Sequence, residues 1–159
     1  MSSMRFAVIT GAMLCLLLGA GQQNAQAGIT LEWSELPELP TPTEMPQTLG
    51  VAGPFVGISN DALIVAGGVG FPAPPVESNK VWHDDIYGRV RDSDVDDSYR
   101  WITGQKLDRP VAYGASVSTD RGVVCIGGTD ATRTYSTVFL LRWDPEKEQV
   151  IQEPLPSLP

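Results

Sequence analysis

Few side chains in this sequence have the type and setting to do chemistry, and they gather in polar stretches between apolar runs. Arg109 and Tyr113 stand four residues apart just ahead of one such run, and Asn79, Lys80, Asp130 and Arg133 lie in two other polar stretches. Guanidinium and ammonium groups hold anions, while a tyrosine offers an apolar ring with a polar tip. The plain alternatives are a solvated loop cation paired with Asp108 or another carboxylate for Arg109, and strand-edge packing with its hydroxyl satisfied for Tyr113.

Other chemistries fare worse. His83 is the one histidine, and beside Asp84 and Asp85 it reads as half of a surface ion pair rather than as an acid or base. A single histidine excludes a multi-histidine metal centre within the chain. The stretch Asp92-Ser93-Asp94-Val95-Asp96-Asp97-Ser98 has the acidic rhythm of a calcium loop. It has Asp97 where that loop needs its sixth-position glycine and Thr103 where it needs its twelfth-position glutamate, so a solvated hairpin turn is expected. No metal and no cofactor are expected.

The elements that must position these groups are strands. Sixteen Gly and thirteen Pro in 159 residues, with no long 3.6-period run beyond the N-terminus, favour many short strands in at most one ordinary domain. A formal charge of −8 argues against a nucleic-acid partner or an anionic membrane surface, both of which need a basic footprint. Met1 to Arg5 carries a positive charge, Phe6 to Ala20 is apolar, and Ala25-Gln26-Ala27 supplies a small-x-small cleavage pattern. Residues 1–27 therefore read as a signal peptide, and the product as periplasmic or secreted. The apolar run is shorter than the roughly 20 residues that span a bilayer, so no membrane span is expected after processing. Cys15 has no small residues immediately before it, which disfavours a lipid anchor. Cys125 then remains alone in the apolar run Val123 to Ile126, a core residue rather than a nucleophile, with no intramolecular disulfide possible.

The stretch Gly50 to Gly68 reads as two strands, Phe55 to Ser59 and Ala62 to Ala66, joined at a polar turn and stopped by a diglycine. Shifted by about 60 positions it recurs: Val51-Ala52 falls on Val111-Ala112, Asn60 on Asp120, and Gly67-Gly68 on Gly127-Gly128. Third and fourth strands are predicted around Val81 to Val90 and at Tyr99 to Gln105, after a loop from Val69 to Lys80. In the second unit, strands are predicted at Val111 to Ser118, Gly122 to Ile126, Val138 to Trp143 and Gln149 to Glu153. Ile29 to Leu36 is a further predicted strand, followed by a proline-rich connector.

The expected organisation is a strand and connector over 28–49, one unit over 50–106, a second over 107–153, and the start of another connector at 154–159. The fold class is all-β: two kelch-type four-stranded antiparallel blades of an incomplete β-propeller, preceded by the signal peptide. Trp33, Trp82, Trp101 and Trp143 fall where blades bury large aromatics, or where one could stack on a sugar. Because successive strands run antiparallel, the loop after strand two and the lead into the next strand one share a face. That face collects Arg109, Tyr113, Asn79, Lys80, Asp130 and Arg133.

Gly50 to Gly68, Phe71-Pro72, Trp82-His83-Asp84-Asp85-Ile86-Tyr87, Trp101, Ala112 to Val117 and Gly127-Gly128 together resemble the cyclically permuted mutarotase family, relatives of bacterial N-acetylneuraminate (sialic acid) mutarotases. The resemblance covers most of residues 30–150. It implies a small acidic sugar as substrate and anomer interconversion as activity, with an arginine suited to the sugar's carboxylate. The family's proposed catalytic pair is a Glu with an Arg six residues later. Here Glu77 is followed at that spacing by His83, Glu44 by Gly50 and Glu35 by Thr41, so no catalytic residue is carried over. The expectation is the N-terminal part of a mutarotase, inactive alone; the alternative is a non-catalytic kelch module binding a glycan or protein. Two blades alone leave apolar faces and strand edges unpaired, which invites self-association.

If residues 1–27 are an export signal, N-terminal sequencing of the exported product should begin at Gly28. Recovery of a soluble cytoplasmic product that retains Met1 would contradict it.

Overall fold

Alternation along Phe55–Ser59 (β1) sets the first sheet: Phe55, Gly57 and Ser59 are buried while Val56 and Ile58 are exposed. Asn60 and Asp61, at φ of +46° and +62°, make the two-residue turn into Ala62–Ala66 (β2). Asn and Asp tolerate such left-handed positions, and a turn of this hand matches strand twist. The computed structural model describes residues 31–33, 35–41, 50–72, 79–92 and 98–159, and every described strand lies in the unit Leu36–Pro159.

After β2 the chain makes a short pair, Val69–Gly70 (β3) with Val81–Trp82 (β4), then returns through Asp85–Arg91 (β5) and Tyr99–Lys106 (β6). The first sheet runs β1-β2-β5-β6, antiparallel throughout. The second comprises Ala115–Thr119 (β7), Gly122–Ile126 (β8), Val138–Asp144 (β9) and Gln149–Leu155 (β10), in the order β7-β8-β9-β10. These are two four-stranded antiparallel blades of a β-propeller, and among the described residues they do not close a ring.

The blades meet over one apolar layer. Phe55 packs edge-to-face on Phe139 at 5.3 Å, Gly57 lies against Val123, and Ile64, Ile86, Cys125, Leu141, Trp143 and Val150 fill the rest. Full burial of a Phe55-sized side chain contributes about 1.5–3 kcal/mol. Cys125 is the core residue expected, and burial pushes its thiol up to about 12, which keeps it a neutral, unreactive thiol. Polar groups at the seam are matched. The Val56 N–H donates to Ser116 Oγ at 3.0 Å and the Ser116 hydroxyl donates to the Val56 carbonyl at 2.9 Å. The Gln105 amide clamps the Val150 backbone, accepting its N–H at 2.6 Å and donating to its carbonyl at 3.0 Å.

Four expectations change. The described residues of the predicted strand at Ile29 to Leu36 pair with nothing, and Trp33 is 90% exposed rather than buried between blades. The loop predicted from Val69 to Lys80 begins as β3, and the predicted third strand divides at His83-Asp84, because Val81–Trp82 pairs back on Val69–Gly70. Residues 111–114 lead into β7 without joining it, since Tyr113 has φ of +60°. The last strand runs on to Leu155, with Pro154 tolerated because β10 is an edge that asks no ladder donor on its open side. The acidic turn at 93–97 lies outside the described residues.

Both diglycines have nearly the same left-handed backbone, +67° and +103° at Gly67-Gly68 and +66° and +102° at Gly127-Gly128. A Cβ on Gly67 would also come within 2.3 Å of the Val111 carbonyl oxygen. Gly104, at the bulge of β6, has φ of +88° but nothing within 4 Å of such a Cβ. Gly104→Ala should therefore cost only the backbone term, about 1 kcal/mol. Gly67→Ala should cost clearly more in urea melts; equal losses would show that the contact with Val111 is slack.

Candidate functional site

Three segments converge at the same end of the two blades because backbone bonds tie them there. The Gly68 N–H donates to the Val111 carbonyl at 2.9 Å, fixing the connector from Leu107 to Gly114 against the first diglycine. Bridges of Ala112 to Thr129 and of Thr129 to Thr134 attach the loop after β8 to that connector. The β3–β4 pair holds Trp82, and with it Lys80, beside both.

Within the loop after β8, Asp130 is the organising group. Its Oδ1 accepts the Thr132 N–H at 2.7 Å, the Thr132 hydroxyl at 2.8 Å and the Arg133 N–H at 3.0 Å, while Oδ2 accepts the Tyr135 hydroxyl. The Tyr135 hydroxyl bond first, and then the Thr132 and Arg133 donors, hold the carboxyl well below the usual carboxylate range. Tyr135 is thereby fixed as a platform. The guanidinium carbons of Arg109 and Arg133 each lie 4.9 Å from its ring centroid, in cation–π range. Neither guanidinium has a carboxylate within 4.0 Å among the described residues. Asp108, the neighbour that could have neutralised Arg109, accepts instead from Gln152 Nε2 at 3.1 Å. Arg109 and Tyr135 border a cleft of about 280 Å³ that runs down to Phe139, Gln152 and Leu155. The Gln152 Oε1 is buried there without a hydrogen-bond partner.

On the other side of the same loop, Trp82 and Tyr113 meet edge-to-face, centroids 5.8 Å apart. Lys80 Nζ lies 5.9 Å and 5.5 Å from their centroids and has no carboxylate within 4.0 Å among the described residues. Tyr113 is 51% exposed and sits at φ of +60°, where its counterpart one repeat earlier is Gly53, also at +60°. A left-handed conformation costs a residue with a side chain about 1–2 kcal/mol. The Tyr113 N–H donates to the Gly53 carbonyl at 2.8 Å, and a Cβ on Gly53 would come within 2.4 Å of the Tyr113 ring. An open groove of about 250 Å³, lined by Trp82, Pro110, Asp130, Ala131 and Thr132, joins this aromatic corner to the Asp130 loop.

Of the residues singled out from sequence, Arg109 and Arg133 share one platform, Asp130 holds that platform, and Lys80 joins Tyr113. Asn79 is exposed and lines neither cavity. His83 makes the expected pair, its Nδ1 4.0 Å from Asp85, but its side chain is only 11% exposed, and Lys106 takes both Asp84 and Asp85 at 2.6 and 3.2 Å. Tyr135 was missed, although Asp130-Ala131-Thr132 is the sequence of a side-chain-closed turn that would aim the next aromatic inward. Among the described residues no group of three or more His, Cys, Asp or Glu could hold a metal ion.

Two antiparallel four-stranded blades, with loops that present cations and aromatic rings at one end, define the class: a β-propeller. The family follows from sequence, since the N-acetylneuraminate epimerase family matches residues 2–150, and the chain belongs to it. It is similar to the N-acetylneuraminate epimerase of Vibrio cholerae, 30% identical over 149 residues that cover 91% of this chain and 39% of that protein. It is similar also to that of Yersinia pestis, 33% identical over 138 residues, covering 79% and 33%. The solved structure of YjhT superposes with a TM-score of 0.61 at 27% identity, over 80% of this chain and 36% of that one. The chain thus spans well under half the length of the relatives it matches.

Because the folded Asp130 carboxyl titrates below its unfolded value of about 3.9, the loop bonds it makes are fully present above that pH. They are lost only as pH falls through the depressed folded value. The amide resonances of Thr132 and Arg133 should therefore stay constant from pH 7 to about pH 3 in an NMR titration. Asp130→Ala should expose both amides to rapid exchange. A Thr132 amide that titrates with a midpoint near 4 would show Asp130 to be an ordinary surface carboxylate.

Proposed function

We propose that this chain supplies the anion-binding part of a site that interconverts the α and β anomers of N-acetylneuraminate or a closely related carboxylated sugar. The observation that carries the reading is the pair Arg109 and Arg133, stacked on one tyrosine with no described carboxylate within 4.0 Å of either guanidinium, in a chain of net charge −8. The Asp130 carboxylate acts on Arg133 only from a distance, its oxygens being taken by Tyr135, Thr132 and the Arg133 backbone, so both guanidinium forks are left without a direct carboxylate partner and are open to an anion. A planar fork matches a carboxylate at two points.

In a sugar of this class the carboxylate is borne by the anomeric carbon, so clamping it fixes the reacting centre. Mutarotation then requires a base to take the proton of the anomeric hydroxyl as the ring C–O bond breaks and an acid protonates the ring oxygen. The open keto form recloses on its other face with both protons returned. Asp130 does not serve as the base, because its oxygens are committed to Tyr135, Thr132 and Arg133. The acid and base are assigned to no residue of this chain, and the blades described here bind and orient. Export to the periplasm or beyond belongs to the same reading.

The purified chain should bind N-acetylneuraminate in an NMR or calorimetric titration and discriminate against its methyl ester. Arg109→Ala and Arg133→Ala should each weaken binding of the acid by about tenfold or more, the scale of one lost charge-assisted hydrogen bond. Equal affinity for acid and ester would end the anion-site reading. Anomer exchange measured by two-dimensional exchange NMR separates a catalytic chain from one that binds only.

A further inference from the structure

The carboxylate clamp leaves the aromatic corner of the site unexplained. Trp82 lines an open groove opposite the Asp130 loop, with Tyr113 and Lys80 packed beside it, and three features set this group apart from packing residues. Tyr113 has a strained left-handed backbone where the preceding repeat uses Gly53, and about half of it faces solvent. Lys80 is held over two rings yet meets no described carboxylate. Gly53 has no room for a side chain because the Tyr113 ring lies over it. Strain of this kind persists where surrounding contacts enforce it, and it clusters at ligand sites.

We propose that Lys80, Trp82 and Tyr113 form a second subsite that reads the acylamino substituent of the sugar. This rests on the acidic-sugar reading above and adds which part of the sugar each end of the groove takes. An acylamino group combines a small apolar methyl with a strong neutral acceptor. The exposed Tyr113 ring, backed by the Trp82 edge, covers the methyl, and the Lys80 ammonium, pre-positioned by both rings, donates to the carbonyl oxygen. A lone ammonium over aromatic rings is a one-point donor, poorly matched to a carboxylate compared with the two guanidiniums on Tyr135. The open groove, lined by Trp82, Pro110, Asp130, Ala131 and Thr132, runs from Trp82 to the loop that carries Arg133.

The test compares N-acetylneuraminate with the nonulosonic acid that has a hydroxyl in place of the acetamido group, both titrated into the purified chain. The chain should prefer the acetamido sugar by about tenfold, the scale set by one small apolar group and one hydrogen bond. Resonances of Lys80, the Trp82 indole and Tyr113 should shift with that sugar alone. Tyr113→Gly suits the left-handed backbone, so its thermal midpoint should hold while the preference between the two sugars disappears. Lys80→Met, which alters no backbone, should also abolish the preference. Both variants should still discriminate acid from methyl ester. Equal affinity for the two sugars in the unaltered chain, or a preference that survives both substitutions, would overturn the acyl subsite while leaving the anion site standing. Failure of the unaltered chain to distinguish acid from ester would instead overturn the reading on which the subsite rests.

Discussion

One backbone contact determines how everything else sits: the Gly68 N–H against the Val111 carbonyl, with Gly67 too close to that carbonyl to hold a Cβ. It joins the exit of the first blade's second strand to the entry of the second blade. The same contact sets the height at which the connector from Leu107 to Gly114 crosses the end of the blades, so Arg109 and Tyr113 emerge beside Lys80 and Trp82. A side chain at Gly67 would push the connector away and separate the groups that form the site. The diglycine is thus a fold element and a site element at once, and its left-handed backbone is the part of the requirement that only glycine meets without strain.

Packing beneath this contact makes the placement rigid. Phe55 and Phe139 meet edge-to-face in the layer between the sheets, and the Trp143 indole packs over Gly88. The Ser59 hydroxyl accepts the Trp143 backbone N–H at 3.1 Å and Asn60 donates to the Trp143 carbonyl at 2.8 Å, so both backbone polar groups of Trp143 are satisfied from the first blade. The second blade therefore has one register on the first. Loops rooted in such a frame hold cations in position without needing carboxylates to do so.

Much of the fold was legible because its determinants are local. Alternation marked β1 and β2, the 60-residue echo marked the second unit, and the paired glycines marked where each second strand stops. Where reading failed, the deciding interaction was non-local. Val81 and Trp82 look like the start of a long strand until Val69 and Gly70 are placed opposite them. Trp33 has the composition of a blade aromatic, but it is exposed. The site was half legible for the same reason. Arg109, Tyr113, Asp130 and Arg133 could be gathered onto one face by counting strands, whereas their sorting onto Tyr135 or onto Trp82 depends on side-chain directions that strand counting does not give. His83 shows a half-right reading: the pair with Asp85 is present, Nδ1 to Oδ2 at 4.0 Å, but Lys106 also takes Asp84 and Asp85 and the imidazole is largely buried, with Nε2 beside Gly70.

The two repeats share a backbone, so positions where their side chains differ report on something other than the fold. Gly53 and Tyr113 have the same φ of +60° at the same step of the repeat, which means the left-handed geometry is required by the blade and the tyrosine is not. A glycine at 113 would satisfy the backbone without strain, as it does at 53. The tyrosine is retained against that local preference, and its ring lies over Gly53 and against Trp82, half exposed, rather than in the core. The same logic applies to Ser116 and Ser118, which stand where the first blade has Val56 and Ile58: their hydroxyls accept the Val56 and Ile58 N–H groups of the adjoining strand at 3.0 and 2.8 Å. There the departure from the repeat is absorbed by the seam between the blades. At Tyr113 the contacts with Gly53, Trp82 and Lys80 absorb the departure only in part, since half the residue still faces solvent, and the open half is left to be explained by what binds.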